Sequence, residues 1–227
     1  MTIDITQFWN LLTESKLVGV AETQTLFSEF SEFSEEKNPD SLAEFLINKK
    51  AITRYQSKIL LAGYHGPFQY GNYVVTEQIE SGFFRNQFKA RHKKTSYPVF
   101  LQFIPGTETS DLETWEKIEN EVTRLVPIRH PNLAETFESV TTAEHRFVVT
   151  QLAKGVNLHE KLPRKSRLPW KKACEVMAQA LKGLEQLHKN KIVHNAVDEI
   201  LKHGFLMFSV GFRPKRLFER LRLVFRG

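Results

Sequence analysis

Cysteine is nearly missing from this chain: Cys174 alone stands in 227 residues, which excludes an intrachain disulfide and fits a reducing compartment. Long apolar runs are missing as well, since none approaches the roughly 18 residues that a membrane helix needs. Met1-Thr2-Ile3-Asp4 has neither the basic nor the apolar region of a signal peptide, and a cytoplasmic protein is expected. The eight histidines show no paired spacing with carboxylates or with Cys174, so no metal site is expected from them. An excess of charge of one sign is missing over most of the length. The net charge is +6, but Arg213, Lys215, Arg216, Arg220, Arg222 and Arg226 against Glu219 supply +5 of it, leaving the body nearly neutral. That distribution argues against nucleic acid as a partner of the body.

What is present suffices for a folded core, because a chain of this length can bury roughly 70% of its unfolded surface. Residues 1–65 read as a helical module: Ile5, Phe8, Trp9 and Leu12 keep helical spacing, Leu26, Phe27 and Phe30 follow, and an acidic break runs from Ser31 to Asp40. Ser41 to Ile47 and Thr53 to Gly63 read as two short capped helices, the second stopped by Gly63. This module is either a bundle packed on the next domain or a docking module for a partner. A turn-rich stretch, Tyr64 to Asn72, leads into alternating segments. Tyr73 to Ile79, Asn86 to Arg91 and Pro98 to Ile104 read as three strands, with Ser81-Gly82 breaking the first from the second. Ser110-Asp111-Leu112-Glu113 has the form of a capping box, and Leu112, Trp115, Ile118, Val122 and Leu125 lie at helical spacing behind it. Leu133 to Val140 and Arg146 to Leu152 complete five strands. A long helix follows Pro169, with Ala173, Met177, Ala180, Leu181, Leu184 and Leu187 expected on one apolar face and Cys174 taken as structural.

Three strands, a helix and two strands resemble the small lobe of protein kinases, and individual residues carry the likeness further. Ile79 to Ala90 resembles the glycine-rich loop G-x-G-x-x-G with only the middle glycine, Gly82, kept. Val99-Phe100-Leu101-Gln102 stands where the family has V-A-I-K. His130-Pro131-Asn132-Leu133 matches the H-P-N-I turn, and counting back from it puts the helix glutamate at Glu121. Thr150, Gln151 and Ala153 fall at the hinge that bounds an adenine pocket. Leu187-His188-Lys189-Asn190-Lys191-Ile192-Val193-His194 resembles the run into the catalytic loop, after which Asn195 and Ala196 stand in place of arginine and the catalytic aspartate. A weaker register places Ser209 at the metal-binding aspartate of D-F-G.

The resemblance implies an α+β fold: a five-stranded antiparallel sheet with one helix over 66–152, a truncated helical large lobe over 153–212, the helical module over 1–65 in front, and a basic amphipathic tail over 213–227. Phosphoryl transfer needs a cation on the phosphates, ligands for magnesium and a carboxylate to take the hydroxyl proton. Gln102 brings no charge, Ala196 accepts no proton, and Ser209 is no substitute for a magnesium-binding carboxylate. No catalytic residue is therefore expected. Gly82, Gln102, Glu121, Thr150, Gln151 and Ala153 are the residues that would line a residual site, ATP being the cofactor it would take and magnesium unsupported. The implied function is that of a pseudokinase-type interaction or regulatory module with a protein partner. The alternatives are an ATP-binding bacterial serine/threonine protein kinase, for which Lys89 reaching into the pocket would speak, and a shortened fragment of a longer kinase. The tail's apolar set, Leu217, Phe218, Leu221, Val224 and Phe225, between arginines suits an acidic partner or an anionic membrane surface.

Overall fold

Three helix starts in the N-terminal region follow one chemical device. Asp4, Asn38 and Thr53 hold extended backbone and accept a hydrogen bond from the amide three residues on, while Gln7, Ser41 and Gln56 reach back to the cap amide. These capping boxes open α1 (Ile5–Ser15), α3 (Pro39–Asn48) and α4 (Arg54–Leu61), with α2 (Val20–Phe33) between the first two. The third helix begins earlier than Ser41 because Asn38 caps it and Pro39 suits its first turn. At the end of α4 the Tyr64 amide bonds the Ile59 carbonyl at 3.1 Å, and Gly63 takes φ +87°, a left-handed value that a side chain would strain.

In the computed structural model, residues 3–33, 37–80, 87–104, 112–153 and 169–193 are described. The strands are β1 (Gln69–Tyr70), β2 (Tyr73–Gln78), β3 (Phe88–His92), β4 (Pro98–Ile104), β5 (Thr136–Thr141) and β6 (Arg146–Gln151), in the sheet order β1-β2-β3-β4-β6-β5. The five expected strands are all present, each within a few residues of its expected bounds. A two-residue edge strand, β1, joins them from the turn-rich stretch, pairing antiparallel with β2. Two further helices are α5 (Leu112–Leu125) and α6 (Trp170–Lys189). Residues 110 and 111 of the expected capping box before α5 lie outside the described residues.

The chain divides into two units, Met1–Val99 and Phe100–Gly227. In the first, Phe8, Leu12, Leu42, Leu46 and Leu60 are fully buried in one apolar cluster that also takes in Phe68. Each such side chain contributes roughly 1.5–3 kcal/mol by leaving water. In the second, Trp115, Ile118 and Val122 of α5 pack with Ile104 of β4 and Val148 of β6. Leu125 of α5 packs instead with Leu133 and with Ala180 and Leu187 of α6, and the Arg124 guanidinium donates to the Lys191 carbonyl at 2.7 Å.

The face of α6 differs from the expected one. Ala180, Gly183 and Leu187 are buried, whereas Met177, Leu181 and Cys174 are exposed. The reason is a close approach. A Cβ on Gly183 would stand 3.1 Å from Leu133 and 3.2 Å from the Asn132 carbonyl oxygen, so the helix presents its narrow glycine side to that turn and rotates the bulkier residues away. Gly183→Val should therefore overpack this contact and lower stability by about 1–3 kcal/mol, measured by denaturant unfolding.

Candidate functional site

β6 is the most buried strand of the second unit: Phe147, Val148, Val149 and Thr150 are all essentially inaccessible. Its apolar run supports burial on both faces, and Thr150 is the polar exception. At 2% exposure its Oγ1 finds no hydrogen-bond partner among the described residues, an uncommon condition for a buried hydroxyl. Gln151, next along, is tied down on both sides: its amide donates to the Glu135 carbonyl at 2.8 Å, and its Oε1 accepts from the Glu135 amide at 3.2 Å. Ala153 is half-buried just beyond the strand.

Gln102 lies in β4 at 8% exposure, next to the fully buried Leu101. A neutral amide can occupy this place without the cost of burying a charge. Glu121 sits on α5 at the edge of the stripe made by Ile118, Val122 and Leu125. It is exposed, yet the apolar stripe beside it removes enough water to raise its carboxyl pKa, with the neighbouring Arg124 pulling the other way. Among the described residues it forms no ion pair. Lys89, the cation considered for this site, is held by Glu77 instead, with Nζ to Oε1 at 2.8 Å. His130 serves the turn of the H-P-N-L run, Nδ1 accepting from the Asn132 amide at 3.2 Å.

Of the residues anticipated from the sequence, Gln102, Glu121, Thr150, Gln151 and Ala153 thus fall in the second unit, on β4, α5 and the end of β6. Gly82, Ala196 and Ser209 lie outside the described residues, as does the tail from Arg213. Among the described residues no group of three or more His, Cys, Asp or Glu side chains could hold a metal ion, and no helix is long and apolar enough to cross a membrane. Toward a nucleotide these residues fit poorly: the Thr150 hydroxyl is closed off inside the protein, and the neutral Gln102 amide could donate to a phosphate oxygen but not offset its charge.

The comparison with known families decides the fold's kinship. A protein kinase domain model matches residues 73–198, just over half of the chain. The chain belongs to the protein kinase family. Serine/threonine-protein kinase srk1 of Schizosaccharomyces pombe is 27% identical over 192 residues, 80% of this chain and 32% of that protein. Serine/threonine-protein kinase 36 of Pongo abelii is 32% identical over 122 residues, 54% of this chain and 9% of that protein. The chain therefore spans about a third or less of the length of these curated relatives. Among solved structures, the kinase domain of Mycobacterium tuberculosis PknI superposes with a TM-score of 0.50 at 12% identity, covering 56% of this chain and 52% of that one. At that identity the likeness concerns the fold.

Two outcomes follow from these local environments. Thr150→Val removes a buried hydroxyl without a partner, so the unliganded protein should melt at the same temperature or higher, by an amount worth up to about 1–3 kcal/mol. Glu121 binds its proton more tightly folded than unfolded, so its contribution is most favourable at acid pH and is lost as pH rises through the folded pKa. Glu121→Gln should then stabilise at neutral pH by less than about 1 kcal/mol, given its exposure, and give no advantage in acid, as pH-dependent urea midpoints would report.

Proposed function

We propose that this kinase-like chain works as a catalytically impaired interaction or regulatory module, with at most weak nucleotide binding and with a protein as its partner. One observation carries the reading: Gln102, a neutral amide buried in β4, stands where the family resemblance puts the phosphate-binding lysine. Transfer of a phosphoryl group is achieved almost entirely by positioned charge, so a neutral residue there removes attraction for the triphosphate and stabilisation of the transition state together. Two facts agree with it. Glu121, the expected ion-pair partner of that lysine, is exposed and has no cation bound to it among the described residues, and Lys89 is already paired with Glu77. Ala196 in place of the catalytic base would remove a further roughly 10²- to 10⁴-fold in rate.

A second reading, an ATP-binding serine/threonine protein kinase, draws support from the names of the relatives. On either reading the arginine-rich segment from Arg213 to Arg226 is a candidate contact for an acidic partner or a membrane surface, and the single cysteine suits the cytoplasm.

Thermal unfolding with millimolar ATP, with and without magnesium, separates the two. A ligand at 100 times its dissociation constant adds about 2.7 kcal/mol and raises the midpoint visibly. The impaired module should show little or no rise and no magnesium dependence, and Gln102→Lys should increase whatever rise ATP gives. A magnesium-dependent rise in the native chain would overturn the non-catalytic reading.

A further inference from the structure

Helix α4 meets the sheet through polar groups as well as apolar ones. The Thr53 hydroxyl donates to the Thr76 carbonyl at 2.6 Å, and Gln56 Nε2 donates to the Val75 carbonyl at 2.7 Å. These two side chains are also the capping box of α4: Gln56 Oε1 accepts from the Thr53 amide at 2.8 Å, and Thr53 Oγ1 accepts from the Gln56 amide at 3.2 Å. Gln56 is 4% exposed, so its amide has no ready access to water if these bonds are lost. One pair of side chains therefore starts the helix and ties it to a strand.

The strand is irregular where it is held. Val75 of β2 opposes Ala90 of β3 while Glu77 opposes Lys89, which leaves Thr76 as the extra residue of a bulge. The ladder is broken at a bulge, and α4 supplies the donors that its carbonyls would otherwise need from water. Thr76 in turn donates its own hydroxyl to the Lys89 carbonyl at 3.1 Å. Tyr55 of α4 sets its ring edgewise against Phe88 of β3, with centroids 6.4 Å apart, and against Phe68 at 6.5 Å. The helix thus engages both strands of the hairpin, which closes at its far end with the Ile79 amide on the Gln87 carbonyl at 2.8 Å.

We propose that α4 is a conformational relay, with Thr53 and Gln56 as positioning residues that hold the bulge in β2, so that the N-terminal helices and the β2–β3 hairpin gain and lose order together. A protein bound to the helices would in this way act on the strands that lead into and out of the segment carrying Gly82. The proposal rests on hydrogen bonds within the first unit and is independent of whether the chain binds ATP.

Amide hydrogen exchange on the full chain tests it. Thr53→Asp keeps a good N-cap acceptor but deletes the donor to Thr76, so it parts the cap from the bulge contact. Gln56→Met keeps the volume and deletes the donor to Val75, Thr53→Ser restores the hydroxyl, and Lys58→Ala removes only the exposed pair with Glu80. Expected is exchange at least about tenfold faster in β2 and β3 for Thr53→Asp and Gln56→Met, with β6 and α5 unchanged, and with Thr53→Ser and Lys58→Ala like the native chain. Unchanged exchange in β2 and β3 in whichever of the two variants folds, or an equal rise in β6 and α5, would overturn the relay.

Discussion

A charge cannot enter this core without a partner, and that constraint organises the second unit. β4 and β6 offer a surface of Leu101, Ile104, Phe147, Val148 and Val149 on which ions are costly. Gln102 meets the constraint by being neutral. Glu121 meets it by standing at the rim of the α5 stripe, exposed, its carboxyl raised only partly by the apolar residues beside it. Had a lysine stood at position 102, a carboxylate would have been needed within reach to offset its desolvation. With glutamine there, no carboxylate is required of α5, which is positioned by Trp115, Ile118 and Val122 on β4 and β6 and by Leu125 against Leu133 and α6.

The first unit handles its polar groups in another way. Its core is apolar, from Phe8 to Leu60, but its join between helix and strand uses an amide and a hydroxyl that each serve two partners. Such a join is directional where an apolar contact is not. It specifies which carbonyls of β2 the helix meets, and so fixes a register that Tyr55 against Phe68 and Phe88 would tolerate within a residue or so.

Element order was legible in the sequence because the patterns of apolar residues are clean: alternation in Tyr73 to Gln78, a short continuous run in Phe147 to Val149, helical spacing from Trp115 to Leu125. The face of α6 was not. Met177 and Leu181 satisfy the same spacing rule as Ala180 and Leu187, and only the approach of Leu133 to Gly183 decides between them. For the candidate site, Glu121 is counted back from the H-P-N-L turn, Gln102 is placed by the likeness of Val99 to Gln102 to V-A-I-K, and Thr150 by the run into the hinge, and the structure sets them on α5, β4 and β6 respectively. The lack of a partner for Thr150 could not be read, because a threonine in a strand looks the same whether or not its hydroxyl is bonded. The double role of Thr53 and Gln56 was equally hidden: a capping box is visible locally, its contact with residues about twenty positions away is not.

These features separate what holds the fold from what would run the chemistry. The apolar contacts of α5 with β4 and β6 involve none of the positions that the family uses on nucleotide, and exchanging a buried lysine for glutamine relieves the core of a charge. A lobe built on such apolar contacts does not depend on a cation at position 102 for its folding, and among the described residues Glu121 stands exposed without an ion pair. Stability depends on the apolar periods, whereas a charge directed at a phosphate adds nothing to the packing of α5 on β4 and β6.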